Sequence, residues 1–152
     1  MATTTRFGRS GRTPMVKVYL LGVWDLLHVG HVCVIRYAKS LGDWLCVGVI
    51  TDDMAESYKC RPTIPERERM EMVLALKWVD EAIYHDSWEA NVDFLALNGF
   101  TIRAVSPEHA IHDKRQLEVQ RRLEAMGMRY VSTMRTPGIS SQIIKERIRK
   151  ET

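Results

Sequence analysis

At 152 residues, with 45% hydrophobic and 27% charged side chains, the chain has the length and composition of one globular domain able to bury a core. No apolar run approaches the roughly 18 residues of a membrane span, and the first fourteen residues lack the apolar centre of a secretory signal. The net charge of +3 equals Arg6, Arg9 and Arg12 of an acid-free opening segment, so the remainder balances to zero and gives no pointer to nucleic acid.

Cys33, Cys46 and Cys60 are an odd number without C-x-x-C spacing, and Cys33 and Cys46 sit in apolar segments as free core thiols would. Neither a zinc site nor a disulfide framework is expected, and a cytoplasmic location fits. Residues 1–14 read as a flexible basic tail, and 15–152 as one domain.

In chain order, Val16 to Leu21 is a dense apolar, β-branched run, as in a buried parallel strand. Val32, Val34, Ile35, Tyr37, Ala38 and Leu41 then follow helical spacing up to Gly42. Trp44 to Ile50 is a second strand, and Thr51 to Pro65 reads as a polar loop long enough to suggest function. Glu66 to Lys77 reads as a helix with Pro65 as its start signal. Ala82 to Tyr84 is a short strand, Asn91 to Asn98 a helix and Thr101 to Val105 a strand. Gln116 to Met126 reads as a helix, Arg129 to Ser132 as the last strand, and Ser140 to Arg149 as a closing helix. Five strands alternating with helices predict an α/β, Rossmann-like, doubly wound sheet of about five parallel strands with helices on both faces. Ligands of such sheets bind beyond the carboxyl ends of the strands.

The segment Gly22-Val23-Trp24-Asp25-Leu26-Leu27-His28-Val29-Gly30-His31 lies where the first strand ends and the first helix begins. An H-x-G-H arises by chance in on the order of one in a hundred chains of this composition. A strand–glycine–helix corner presents free backbone N–H groups and a positive dipole end, which suit phosphate. Two imidazoles there add donors able to meet charge developing on phosphorus. Asp25 can orient this loop or a ligand group, or bond its own turn. Asp52 can form an Asx turn or touch an acceptor substrate.

Met134-Arg135-Thr136-Pro137-Gly138-Ile139-Ser140-Ser141 repeats the arrangement as strand, arginine, turn and hydroxyls opening a helix. Ser140 or Ser141 is a natural N-cap. Arg135 can grip two phosphate oxygens at once while the helix start offers amides.

Together these two segments resemble a small cytidylyltransferase of the HxGH nucleotidyltransferase superfamily, most like the glycerol-3-phosphate and ethanolamine-phosphate cytidylyltransferases in pattern. The likeness runs from Val16 to Ile148. The family's first motif, G-x-F-D-x-x-H-x-G-H, is matched with Trp24 in the Phe place. Its closing motif, R-T-x-G-I-S-[ST]-[ST], is matched from Arg135 through Ser141, with Gln142 in the last hydroxyl place. Lys59, in K-C-R-P-T-I-P-E-R-E-R, resembles the family's mobile-loop lysine, and Trp78-Val79-Asp80-Glu81 resembles its R-Y-V-D-E stretch.

The resemblance implies transfer of CMP from CTP to the phosphate or phosphonate of a small alcohol or amine, with release of pyrophosphate. It implies His28, His31, Lys59 and Arg135 as catalytic groups. The implied nucleotide site is Gly22, Val23, Trp24, Asp25, His28, Gly30, His31, Lys77, Arg135, Thr136, Gly138, Ile139, Ser140 and Ser141. Asp25, Asp52, Lys59 and Trp88 are the implied acceptor contacts. Mg²⁺ is expected on the triphosphate rather than on a metal site of the protein, and a homodimer is expected.

Two stretches depart from the family pattern. Ser106-Pro107-Glu108-His109 stands where the family has G-[DG]-D, and Lys77 stands in place of an arginine; His109 and His112 are candidates for an altered acceptor pocket. An adenylyltransferase using ATP with the same phosphate groups, or a nucleotide-binding regulator without turnover, are the alternative readings.

Overall fold

The computed structural model describes residues 13–87, 91–106 and 114–152. The strands are β1 (Lys17–Gly22), β2 (Trp44–Ile50), β3 (Glu81–His85), β4 (Ile102–Val105) and β5 (Arg129–Ser132). They form one sheet in the order β3-β2-β1-β4-β5, with every pairing parallel. The expected doubly wound α/β sheet is therefore what forms.

Helices α1 (Val29–Ser40) and α3 (Glu66–Leu74) cover one face. There Ile35, Ala38, Met70 and Val73 pack on Val18, Leu20, Leu45, Val47 and Val49. Helices α4 (Val92–Leu97) and α5 (Lys114–Ala125) cover the other, where Leu95, Val119 and Leu123 pack against Tyr19, Cys46 and Phe100. Strands buried on both faces explain the near-continuous apolar runs of β1 and β2. The winding reverses between β1 and β4, so their carboxyl ends, at Gly22 and Val105, flank the switch point. The last helix, α6 (Ser141–Glu151), returns to that edge.

Two expectations are corrected. The stretch 51–65 is not all loop, because Asp52–Tyr58 forms a helix, α2, with Asp52 and Asp53 in its first turn complementing the helix dipole. The helix beginning at Glu66 ends at Leu74 rather than Lys77. Leu76 and Val79 instead continue as turns that pack on the core. Cys46 is buried, Cys33 half-buried and Cys60 exposed, all as free thiols. Apart from Thr13 and Pro14, the expected tail lies outside the described residues, as do Trp88, His109 and His112.

Candidate active site

A cavity of about 420 Å³ opens at the carboxyl end of β1, within the range of small-molecule clefts. Its floor is the loop from Gly22 to His28. Trp24 (φ 63°) and Leu26 (φ 49°) hold left-handed backbone there, each at a cost of order 1–3 kcal/mol. Burial of Trp24 and the bond from its Nε1–H to the Gly48 carbonyl (2.9 Å) offset that strain. Gly22 leaves room for the indole: a Cβ there would stand 2.7 Å from two of its ring carbons.

His28 is the N-cap of α1. The Gly30 N–H donates to His28 Nδ1 (3.1 Å), and the His28 N–H donates to His31 Nδ1 (3.3 Å), which closes a reciprocal capping box built from imidazoles. Because both Nδ1 atoms accept, each neutral ring carries its proton on Nε2. The rings stack with centroids 3.9 Å apart and 22° between planes, and His31 meets Trp24 edge-on at 5.5 Å. Burial lowers the His31 pKa to about 4, aided by His28 and opposed by Asp25, and burial also lowers that of His28. The pair is therefore neutral near pH 7. Gly30 is required by this packing, since a Cβ would lie 2.8 Å from His28 Cε1 and 3.2 Å from Ile139 Cγ2.

Asp25 does not bond its own turn. Its carboxylate accepts from the Thr63 and Ile64 N–H groups (both 2.9 Å) and pairs with Lys145 Nζ (3.3 Å). Burial acts to raise its pKa, but these donors outweigh it and hold the carboxyl below its ordinary range. Asp25 thus fastens the segment after Lys59 to the histidine corner.

Behind it, Arg69 of α3 is fully buried. It donates to the carbonyls of Val23, Ile50 (2.9 Å) and Ile64 (2.9 Å) and pairs with Asp52 Oδ1 (2.6 Å). One guanidinium so joins the first loop, the end of β2, the start of α2 and the Lys59 loop. Asp52 also accepts from the Glu66 N–H (3.2 Å), while the Asp52 N–H donates to Glu66 Oε2 (2.6 Å). Asp52 is therefore a partner of Arg69 and α3, forming no Asx turn, and does not line the cavity.

The second corner meets the first through α6. Ser140 caps the helix by accepting from the Ile143 N–H (3.1 Å), and the Ser141 hydroxyl donates to the Asp25 carbonyl (2.7 Å). The positive ends of α1 and α6 both begin at the cavity.

The cavity brings together Gly22, Val23, Trp24, Asp25, His28, Gly30 and His31 from the first segment, and Arg135, Thr136, Ile139, Ser140 and Ser141 from the second, with Lys59 between them. Gly138 lies in the turn ahead of α6 and does not line it. Lys77 is not brought to the cavity either. It follows α3 and leads into the amino end of β3, at the opposite edge of the sheet, with its ammonium 5.0 Å from the Trp78 ring centre. The Trp78-Val79-Asp80-Glu81 stretch works there as a brace: Asp80 accepts from the Leu45 N–H (2.7 Å) and from Lys39 (2.6 Å). Lys145 and Arg69 were absent from the expected site. Lys145 sits four residues beyond Ser141, one turn along α6 on the same face, and that spacing was its only signal.

A parallel sheet with two helix starts, two Nε2–H imidazoles and the cations Lys59, Arg135 and Lys145 around one cavity defines a nucleotidyltransferase type of domain. The chain belongs to the cytidylyltransferase-like family, whose model matches residues 19–147. It is 44% identical over 80 residues to an ethanolamine-phosphate cytidylyltransferase of Arabidopsis thaliana, covering 53% of this chain and 19% of that protein. It is 30% identical over 128 residues to the FAD synthase of Pyrococcus horikoshii, covering 84% of each. Its fold is similar to that of a lipopolysaccharide core biosynthesis protein of Thermoplasma volcanium, with TM-score 0.68, 26% identity, and coverage of 81% of this chain and 99% of that one. The chain thus spans about a fifth of the length of the cytidylyltransferase relative. No helix among the described residues is long and apolar enough to cross a membrane.

Proposed function

We propose that the protein transfers CMP from CTP to a phosphate or phosphonate oxygen of a small acceptor. The observation that carries this reading is the convergence of His28, His31, Lys59 and Arg135 on one cavity at the starts of two helices. An acceptor phosphate oxygen attacks the α-phosphorus of CTP and forms a new P–O bond. The bond from the α-phosphorus to its bridging oxygen breaks, and pyrophosphate leaves. A phosphate monoester is already a nucleophile, so the chain has no need of a strong base. What it must supply is approach of anions and stabilisation of charge on the α-phosphate and leaving group.

Neutral His28 and His31 donate from Nε2 without demanding a proton transfer. Lys59 and Arg135 supply the cationic contacts, and α6 directs its dipole at the leaving phosphates. The cavity's carboxylate, Asp25, is already engaged by Thr63, Ile64 and Lys145, and among the described residues no group of three His, Cys, Asp or Glu could hold a metal ion. The triphosphate oxygens would carry a Mg²⁺ ion, which would neutralise part of their charge.

Use of ATP is the second reading, favoured by the similarity to proteins named FAD synthase, since FAD contains an adenine nucleotide. Pyrophosphate release with CTP and with ATP, across phosphorylated and phosphonate acceptors, decides between them. Release with CTP supports cytidylyl transfer. Release with ATP alone replaces it by adenylyl transfer.

A further inference from the structure

A second, smaller cavity of about 40 Å³ adjoins the first at the switch point, sharing Leu21, Gly22, Val23 and Ser106 with it. By the volume one water occupies, it has room for a group the size of a carboxylate. Its distinguishing wall is Arg103, at the centre of β4 and 5% exposed. In register, Arg103 stands between Tyr19 of β1 and Tyr130 of β5. Its guanidinium carbon lies 5.5 Å from the Tyr19 ring centre, and among the described residues it donates to the Ala104 carbonyl.

A guanidinium has five N–H donors and does not give up its charge in a protein. Among the described residues no carboxylate pairs with Arg103. The Tyr19 hydroxyl is bonded to His85 Nδ1 (2.9 Å), and the buried Tyr130 hydroxyl has no hydrogen-bond partner among the described residues. Burying a charge without a counter-ion is strongly unfavourable, and apolar residues of similar volume do better in its place. The contrast with Arg69 is direct: that arginine, equally buried, has three carbonyls and Asp52. A buried cation on the wall of a cavity, with no carboxylate partner among the described residues, suits an anion that arrives from outside.

We propose that Arg103 forms an acceptor subsite for a second anionic group, so that the acceptor carries a carboxylate (or comparable anion) besides the phosphate or phosphonate that attacks CTP. This rests on the cytidylyl-transfer reading for its chemistry, though the anion site itself does not. The same charge disfavours acceptors that carry an ammonium group, because a buried cation repels them with little screening. The acceptor therefore differs in charge from ethanolamine phosphate.

The test compares wild type with Arg103→Met, using CTP and four acceptors: phosphonoacetate, phosphoglycolate, glycerol-3-phosphate and ethanolamine phosphate. The wild type is expected to use the two carboxylate acceptors with kcat/KM at least tenfold above that for ethanolamine phosphate. Arg103→Met is expected to lose that preference through acceptor KM, with the KM for CTP unchanged and the Tm equal or higher. A preference for ethanolamine phosphate, a preference unchanged in the variant, or a variant that melts lower or does not fold each overturns the proposal, the last because it would make Arg103 structural. If no acceptor releases pyrophosphate, the transfer reading fails by itself, and calorimetric titration with phosphonoacetate judges the subsite. Binding weakened tenfold or more by Arg103→Met supports it, and equal or absent binding overturns it.

Discussion

The imidazoles of His28 and His31 lie face to face, 3.9 Å between centroids, each with its Nδ1 accepting a backbone N–H from the same helix start. Spacing of three along a helix brings two side chains to one face. The caps then fix both tautomers, so the pair enters the cavity as two Nε2–H donors. Two charges at this separation would repel, and burial already favours the neutral rings.

That neutrality makes stability depend on pH. The folded His31 pKa of about 4 lies below its unfolded value, so the unfolded chain binds the extra proton between roughly pH 6.5 and 4. Stability contributed by the neutral ring is complete above that window and is lost as the pH falls through it. Between pH 7.5 and 5.5 the loss from His31 is on the order of 1 kcal/mol. Urea unfolding at the two pH values is expected to show this loss in wild type and less of it in His31→Gln. An equal loss in both proteins would contradict the assignment.

Gly30→Ala separates helix propensity from site packing. In an open helix the change stabilises by up to about 1 kcal/mol. Here the new methyl meets the His28 ring and Ile139, and overpacking of this kind costs about 1–3 kcal/mol. A lower Tm together with a loss of turnover of about a hundredfold is expected. A variant with raised Tm and full activity would show that the ring is free to move aside.

Arg69→Met removes the guanidinium that joins four segments and leaves the buried Asp52 with only the exposed Arg61, 3.8 Å away, as a cationic partner. Breaking a buried pair from one side costs about 3–5 kcal/mol. Chemical denaturation should show a loss of this size, and a loss under 1 kcal/mol would mean that the network is not what holds the Lys59 loop.

Much of this was legible in the sequence, and the misses have physical causes. The β2 and β5 boundaries, Trp44–Ile50 and Arg129–Ser132, stand where the apolar runs place them. The two strand–turn–helix corners are local motifs that need no distant partner to be read. Helix α2 was missed because seven residues with only Asp52 and Ala55 buried give too short a periodic signal. Arg69 lies inside E-R-E-R, where the neighbouring charges give no sign of a buried position. Yet Val73 lies four residues on, which puts Arg69 on the buried face. Its carbonyl partners, at Val23, Ile50 and Ile64, are set by tertiary packing that the sequence order does not reveal. Lys77 shows the opposite failure: this position, carried over from the resemblance although it holds lysine in place of the family's arginine, leads into the amino end of β3 and does not line the cavity.

In the proposed transfer the histidine corner stabilises charge as it develops rather than merely holding a nucleotide. Turnover and CTP affinity of His28→Ala, measured together by pyrophosphate release and calorimetric titration, test this most directly. In His28→Ala kcat is expected to fall by about a hundredfold or more while the Kd for CTP weakens by less than about tenfold. Equal losses in both, or full turnover in the variant, would contradict it.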